Sequence, residues 1–142
     1  MTIAIVGGSG FLGRHVALRL LAHDERPLVI HRGNEAPNLP ETVLIEHADR
    51  EEEAALTDIF RKHDVKAVVD IYALSLENTA AVIAASRKQG ARYVLTSSVD
   101  VYSNYEGLIR KGTPPVRPEP ATEDSPLREM RFPYRGNSRR PQ

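Results

Sequence analysis

The chain begins with an apolar run that leads directly into a glycine-rich turn, and few folds accommodate that combination. The run is TIAIV at residues 2–6, and every residue after Thr2 is apolar. Such a run is typical of a strand buried on both faces of a parallel sheet. The turn is GGSGFLG at residues 7–13, and apolar residues at helical spacing follow it. A strand, a glycine turn and a helix in this order predict the start of a βαβ unit.

Strand-like and helix-like stretches continue to alternate after this first pair. The predicted strands are 2–6, 27–31, 42–47, 66–73 and 92–98, and the predicted helices are 11–24, 50–64 and 76–90. Buried strands alternating with helices indicate a parallel sheet with right-handed crossovers. The predicted fold class is therefore α/β: a doubly wound, Rossmann-like sheet of about five strands with helices on both faces.

The amino-acid composition of the chain changes near residue 110. Seven of the ten prolines lie between Pro114 and Pro141, and this segment is rich in arginine. Each proline removes a backbone donor, so we expect loop rather than regular elements there. We therefore divide the chain into an α/β domain at 1–108 and a Pro/Arg-rich loop and tail at 109–142.

Composition excludes several classes of protein. The formal net charge is zero, which gives no reason to expect a nucleic-acid or membrane partner. Cysteine is absent, so a disulfide framework and a thiolate metal site are excluded, and we predict no metal site. The N-terminus lacks the basic region of a signal peptide. A soluble cytoplasmic protein is expected.

The glycine spacing predicts that the turn binds phosphates. Residues 8–13 fit G-x-G-x-x-G, whereas Gly7, Gly10 and Gly13 fit G-x-x-G-x-x-G. In both alignments the first glycine makes the turn, Gly10 lets a pyrophosphate approach the backbone, and Gly13 lets the helix pack closely. The helix N-terminus offers free N–H groups to the phosphates. The alternative is a turn that merely joins strand to helix.

The end of the second strand discriminates between the two pyridine dinucleotides. An acid there binds the ribose 2′-OH of NAD, and an arginine accommodates the 2′-phosphate of NADP. This strand ends in His31 and Arg32, so NADP is favoured over NAD. Arg14 is a second cation close to the turn, and the alternative for both arginines is a solvated surface position.

Four stretches together resemble a known family: VGGSGFLGRHV, HADR, VVDIYA and YVLTSSVDVY. In order and spacing they are similar to the extended short-chain dehydrogenase/reductases, also called the NAD-dependent epimerase/dehydratase family. The resemblance covers roughly residues 2–105 and implies an N-terminal cofactor-binding half, truncated relative to the whole family member. It implies reduction or epimerisation of a carbonyl or hydroxyl substrate.

The resemblance also implies roles for individual residues. Asp49 matches the acid that accepts from the adenine amino group, although capping of the next helix is an alternative role. Ser98 matches the catalytic Ser/Thr. The implied cofactor-binding set, with His31 and Arg32 from the strand-end argument, is Gly7, Ser9, Gly10, Phe11, Leu12, Gly13, His31, Arg32, Asp49, Arg50 and Ala73.

The family's proton-transfer pair, Tyr-x-x-x-Lys, has no match in this sequence. Beyond Ser98 the tyrosines are Tyr102, Tyr105 and Tyr134, and Lys111 follows none of them at the required spacing. Tyr102 is expected in the core, and Tyr134 is kept as a catalytic candidate. Two functions stay open: the cofactor-binding half of an oxidoreductase or epimerase, and a dinucleotide-binding module without turnover. An incompletely covered sheet would also favour self-association.

Overall fold

The computed structural model describes residues 1–33, 38–105 and 120–129. The chain divides into two compact units, Met1–Thr96 and Ser97–Gln142. In the described residues no helix is long and apolar enough to cross a bilayer. The predicted boundary at residue 108 stays a prediction, because the structure describes ten residues of the segment that follows it.

The first unit is a parallel sheet with helices, as the sequence predicts. Its strands, in the spatial order β3-β2-β1-β4-β5, are β1 Thr2–Val6, β2 Arg26–His31, β3 Leu44–His47, β4 Val65–Asp70 and β5 Arg92–Leu95. Its helices are α1 Phe11–Leu21, α2 Glu53–Lys62 and α3 Leu76–Gln89. All four strand pairings are parallel, which confirms the doubly wound α/β class.

Helix ends follow local chemistry. Ser75 caps α3 by accepting a hydrogen bond from the Asn78 backbone N–H, and Gly90 ends that helix in the left-handed conformation. These are the usual start and stop devices of a helix. In α2 the first turn carries Glu53 and the last carries Arg61 and Lys62, which suits the helix dipole.

Two apolar clusters lie on the sheet. One contains Phe60 and Leu56 of α2 and Val82 of α3, packed on buried strand residues such as Val68. The other joins Ala17 of α1 to Ile5, Val29 and Val43. Helices therefore cover both faces, and the central strand β1 is buried along its whole length.

Several predicted boundaries are wrong by one to three residues, for physical reasons. The prediction extended β4 to residue 73, but the strand ends at Asp70. Its neighbour β1 ends at Val6, whose carbonyl accepts from the Ile71 N–H. Residues 72 and 73 therefore have no residue of β1 to pair with. Similarly, α2 begins at Glu53 rather than at residue 50, because residues 49–52 form a turn closed by Glu52 N–H on the Asp49 carbonyl.

The described part of the second unit is a short folded segment. Ser98 caps a 3-10 helix at Val99–Val101, and Tyr102 forms an antiparallel bridge with Leu127. Tyr102 is half-buried, whereas the sequence predicted a core position. The Arg128 guanidinium pairs with the Asp100 carboxylate at 2.6 Å.

Candidate functional site

The strand order places a switch point at the carboxyl ends of β1 and β4. From β1 the chain adds β2 and β3 on one side, then crosses to add β4 and β5 on the other. Doubly wound sheets bind ligands in the crevice at this point. A groove of about 420 Å³ lies there, between the turn after β1, the end of β2 and the loop after β4.

The glycine turn forms one wall of this groove. Gly7 has a φ of +80°, a conformation that side chains disfavour. Its N–H donates to the Ile30 carbonyl at 3.0 Å, which ties the turn to β2. A Cβ placed on Gly7 would lie 3.3 Å from the Tyr72 Cβ, so the loop after β4 packs directly on the turn.

The start of α1 is close to the turn and open to the groove. A Cβ on Gly13 would lie 2.4 Å from the Gly8 Cα, so this helix approaches the turn more closely than any side chain permits. By contrast, a Cβ on Gly10 would meet nothing within 4 Å. Gly10 is the N-cap of α1 and provides no side-chain cap, and no acid lies in the first turn. In the part of the chain that the structure describes, neither an N-cap side chain nor a first-turn acid serves the N–H groups of that turn, which suits an anion.

The end of β2 presents one buried and one exposed base. His31 is buried, and its pKa is lowered, first by that burial and second by its electrostatic interaction with nearby His47. The lowered pKa favours the neutral form of the imidazole. Arg32 has a 71% exposed side chain, and its Nη1 lies 3.9 Å from the Asp49 carboxylate. Arg32 therefore presents a permanent, solvent-exposed cation at this end of the groove.

Arg50 holds three acceptors from different segments. Its Nη2 donates to the Asp70 carboxylate at 2.6 Å. Its Nη1 donates to the Tyr72 carbonyl at 2.5 Å, and its Nε donates to the Asn78 carbonyl at 2.7 Å. Tyr93 donates its hydroxyl to the same Asp70 oxygen at 2.8 Å. The guanidinium is therefore part of a network that lies beside the groove.

The structure places six of the eleven predicted cofactor residues in the groove lining. These are Gly7, Ser9, Gly10, His31, Arg32 and Arg50. The other five do not line it. Phe11 and Leu12 are exposed at the start of α1, and Gly13 packs on Gly8. Asp49 lies in a turn with its carboxylate facing Arg32, and Ala73 is half-buried. Whether any of the eleven contacts a cofactor stays a prediction.

Sequence reasoning missed other lining residues. They are Val6, Ile30, Gly33, Ala48, Tyr72 and Asn78. Each lies at the carboxyl end of a strand, in the loop that follows it, or in the first turn of α3. The switch-point rule applied to the predicted strand ends would have indicated most of them.

The two predicted catalytic residues have different outcomes. Ser98 is exposed in the second unit, where its Oγ accepts from the Asp100 backbone N–H at 3.2 Å. Its catalytic role stays a prediction. Tyr134 lies outside the described residues. Among the described residues no group of three metal-ligating side chains comes together.

A comparison with protein families agrees with this architecture. The family model described as "NAD dependent epimerase/dehydratase family" matches residues 3–135. The chain belongs to this family. The resemblance inferred from the four sequence stretches is confirmed.

Curated relatives in this family include UDP-glucose 4-epimerases. The protein of Mus musculus is 28% identical over 138 residues, which cover 75% of this chain and 40% of the relative. The protein of Bos taurus gives the same identity and coverage. The chain thus spans about two fifths of the length of these relatives.

Solved structures show the same fold. The UDP-glucose 4-epimerase of Bifidobacterium longum, in complex with NAD+ and UDP, has a TM-score of 0.73 at 19% identity. The aligned part covers 92% of this chain and 43% of the epimerase chain. The UDP-glucose 4-epimerase of Brucella ovis, in complex with NAD, has a TM-score of 0.72 at 19% identity, and the aligned part covers 91% of this chain and 42% of the epimerase chain. At such identities the likeness concerns the fold.

Proposed function

We propose that the groove at the glycine turn binds a pyridine dinucleotide, with its pyrophosphate over Gly10 at the start of α1. The observation that carries the proposal is the open space at Gly10, within a turn that is otherwise packed so tightly that Gly13 cannot hold a methyl group. A bare helix N-terminus at a switch point suits a pyrophosphate. Dinucleotide complexes among the family's solved structures support the same assignment.

NADP is the proposed cofactor in preference to NAD. Arg32 is exposed at the end of β2 and is the residue we assign to the 2′-phosphate. Its pairing with Asp49 at 3.9 Å is long and solvent-exposed, so little free energy opposes its turning to a phosphate. The neighbours' complexes contain NAD, which makes this preference the part of the proposal that needs its own test.

Replacement of Arg32 tests the preference. In Arg32→Ala the Kd for NADPH should rise about tenfold, since a charge-assisted contact contributes about 1.5–3 kcal/mol and 1.4 kcal/mol is tenfold. The Kd for NADH should change less than twofold. Fluorescence titrations with both nucleotides give the two constants, and Arg19→Ala, at the exposed far end of α1, is the matched control. Wild-type protein that binds NADH more tightly than NADPH contradicts the preference.

The proposed activity of the whole protein is reduction or epimerisation of a carbonyl or hydroxyl substrate. When bound, the cofactor supplies the hydride chemistry. Ser98 is the residue proposed to orient the substrate oxygen, and Tyr134 is the candidate for moving its proton. A non-catalytic dinucleotide-binding module is the alternative, favoured by the lack of Tyr-x-x-x-Lys in the sequence. Oxidation of bound NADPH by a carbonyl substrate supports the first, and binding without oxidation supports the second.

The proposed partners are a dinucleotide and a small-molecule substrate in the cytoplasm. A second copy of this chain is a further candidate, because Val94 and Leu95 on the edge strand β5 are 44% and 51% exposed. Among the described residues β5 pairs with β4 alone, and an edge strand with exposed apolar side chains favours association. Analytical ultracentrifugation of the chain at several concentrations measures this self-association.

A further inference from the structure

Arg50 connects three segments that meet at the groove. The residue itself lies between β3 and α2, the Tyr72 carbonyl belongs to the loop after β4, and the Asn78 carbonyl belongs to the first turn of α3. Its side chain is 11% exposed, so the guanidinium is largely removed from water. A planar guanidinium directs its donors in fixed directions, so three acceptors fix the relative position of the segments that hold them.

Asp70 and Tyr93 hold the guanidinium in place. Asp70 is fully buried, and its Oδ2 accepts from both Arg50 and the Tyr93 hydroxyl. The pKa of Tyr93 is raised, first by burial and second by its hydrogen bond to Asp70, so the phenol stays a donor. A buried carboxylate with two donors on one oxygen is a rigid anchor for Arg50.

The loop that Arg50 holds is the one that packs on the glycine turn. Tyr72 provides both the carbonyl that Arg50 binds and the Cβ that would lie 3.3 Å from a Cβ on Gly7. Arg50, Tyr72 and Asn78 all line the groove. A shift of this loop would therefore change the shape of the wall that faces the turn.

We propose that Arg50, anchored by Asp70 and Tyr93, is a positioning residue that fixes the loop after β4 against the glycine turn and so holds the groove in the shape that binds the dinucleotide. The inference rests on the proposed function and refines it: Arg50 acts through the loop, and its charge is used by Asp70 rather than by a phosphate. Its contribution to affinity is therefore separable from its contribution to stability.

A double substitution separates the two contributions. Removing one partner of a buried ion pair leaves an unpaired charge, whereas removing both charges together is often neutral for stability. In Arg50→Met/Asp70→Asn no charge is left, and the new amide carbonyl still accepts from Tyr93. The donors to Tyr72 and Asn78 are gone, so the loop is released. Because neither charge is left without its partner, the double variant should be more stable than either single variant.

The experiment measures nucleotide affinity and amide hydrogen exchange on the same proteins. We expect the double variant to bind NADPH at least about tenfold more weakly, the equivalent of one or two hydrogen bonds. Amides of residues 71–78 should exchange faster in the ligand-free variant, with the β1 amides unchanged. Phe60→Leu, which destabilises the core on α2 away from the groove, is the matched control and should leave the Kd within twofold.

Two failures are distinguishable. Wild-type protein that binds neither NADPH nor NADH overturns the proposed function and this inference with it. Wild-type binding with an unchanged Kd and unchanged exchange in the double variant overturns the inference alone. If the double variant does not fold, Arg50→Lys keeps the ion pair but cannot reach three acceptors, and it should weaken binding and speed exchange at 71–78 in the same way. Wild-type values for that variant overturn the inference.

Discussion

At the scale of single residues, Gly10 and Gly13 differ in what a methyl group would meet, and this separates affinity from stability. A Cβ on Gly13 would lie 2.4 Å from backbone of Gly8, so Gly13→Ala must displace α1. We expect it to lower the free energy of unfolding by about 1–3 kcal/mol, the usual cost of overpacking. Urea denaturation measures this change.

Gly10→Ala should have the opposite profile. Its methyl group would enter open space at the start of α1, and the residue has an ordinary negative φ of −81°. The free energy of unfolding should fall by no more than about 1 kcal/mol, the difference between glycine and alanine at an N-cap. The NADPH Kd should rise more than about tenfold, because the methyl occupies the place assigned to the pyrophosphate. An unchanged Kd would show that the pyrophosphate lies elsewhere.

The glycines and Arg32 could be predicted from sequence because local chemistry fixes their places. The turn must follow β1 and precede α1, and Arg32 directly follows β2. The network around Arg50 could not be predicted in this way. Asp70 is twenty residues away along the chain from Arg50, and Tyr93 is on another strand. Their meeting depends on the sheet order, which periodicity alone does not give.

At the scale of elements, an aspartate in the left-handed region follows the end of both α1 and α2. Asp24 has a φ of 58° and Asp64 has a φ of 50°. This region is sterically unfavourable for residues with a side chain, and less unfavourable for aspartate than for alanine. Asp24→Gly should therefore stabilise the protein, and Asp24→Ala should destabilise it, with about 1 kcal/mol between the two variants. Equal unfolding free energies for the two variants would contradict the left-handed assignment.

A second prediction at this scale concerns the contact between β3 and α2. Glu46 of β3 accepts from His63 and Lys62, and these hydrogen bonds, that of His63 first, lower its pKa below the usual 4.5. The folded protein therefore holds fewer protons than the unfolded chain in that range. The contribution of Glu46 to stability is complete above about pH 4.5 and is lost as the pH falls through the lowered pKa.

Glu46→Gln tests this contact. The variant should be less stable than the wild type at pH 7, and the difference should shrink on acidification below pH 4.5, where Glu46 gains its proton. Unfolding free energies of both proteins across this pH range measure the difference. Glu41→Gln, at an exposed position in the loop before β3, is the control. A stability difference between Glu46→Gln and the wild type that stays constant with pH would argue against the contact.

The elements themselves could be predicted well, whereas some of their ends could not. The apolar run TIAIV identifies β1 because both faces of this parallel strand are buried. The shorter run AVV identifies β4, which is less completely buried. Ends depend on partners that lie far apart in sequence. β4 ends where β1 turns away at Gly7, so the sequence of β4 alone does not indicate its last residue.

At the scale of the whole molecule, the switch point makes one prediction about where a ligand acts. The turn after β1, the end of β2 and the loop after β4 lie at one edge of the sheet. A second, smaller hollow of about 290 Å³ lies at the opposite edge, lined by residues such as Arg26 and Lys66. Doubly wound sheets use the carboxyl edge, so the hollow at the amino edge should not respond to the dinucleotide.

Amide NMR of the labelled chain, titrated with NADPH, tests the central claim most directly. The account predicts saturable shifts at Gly7–Gly13, at Arg32 and Gly33, and at Tyr72–Asn78, with the amino-edge residues unmoved. In Gly10→Ala the same titration should need at least about tenfold more nucleotide, since 1.4 kcal/mol corresponds to tenfold. Saturation with shifts confined to the amino edge, or no shifts at the glycine turn at millimolar NADPH and NADH, would contradict it.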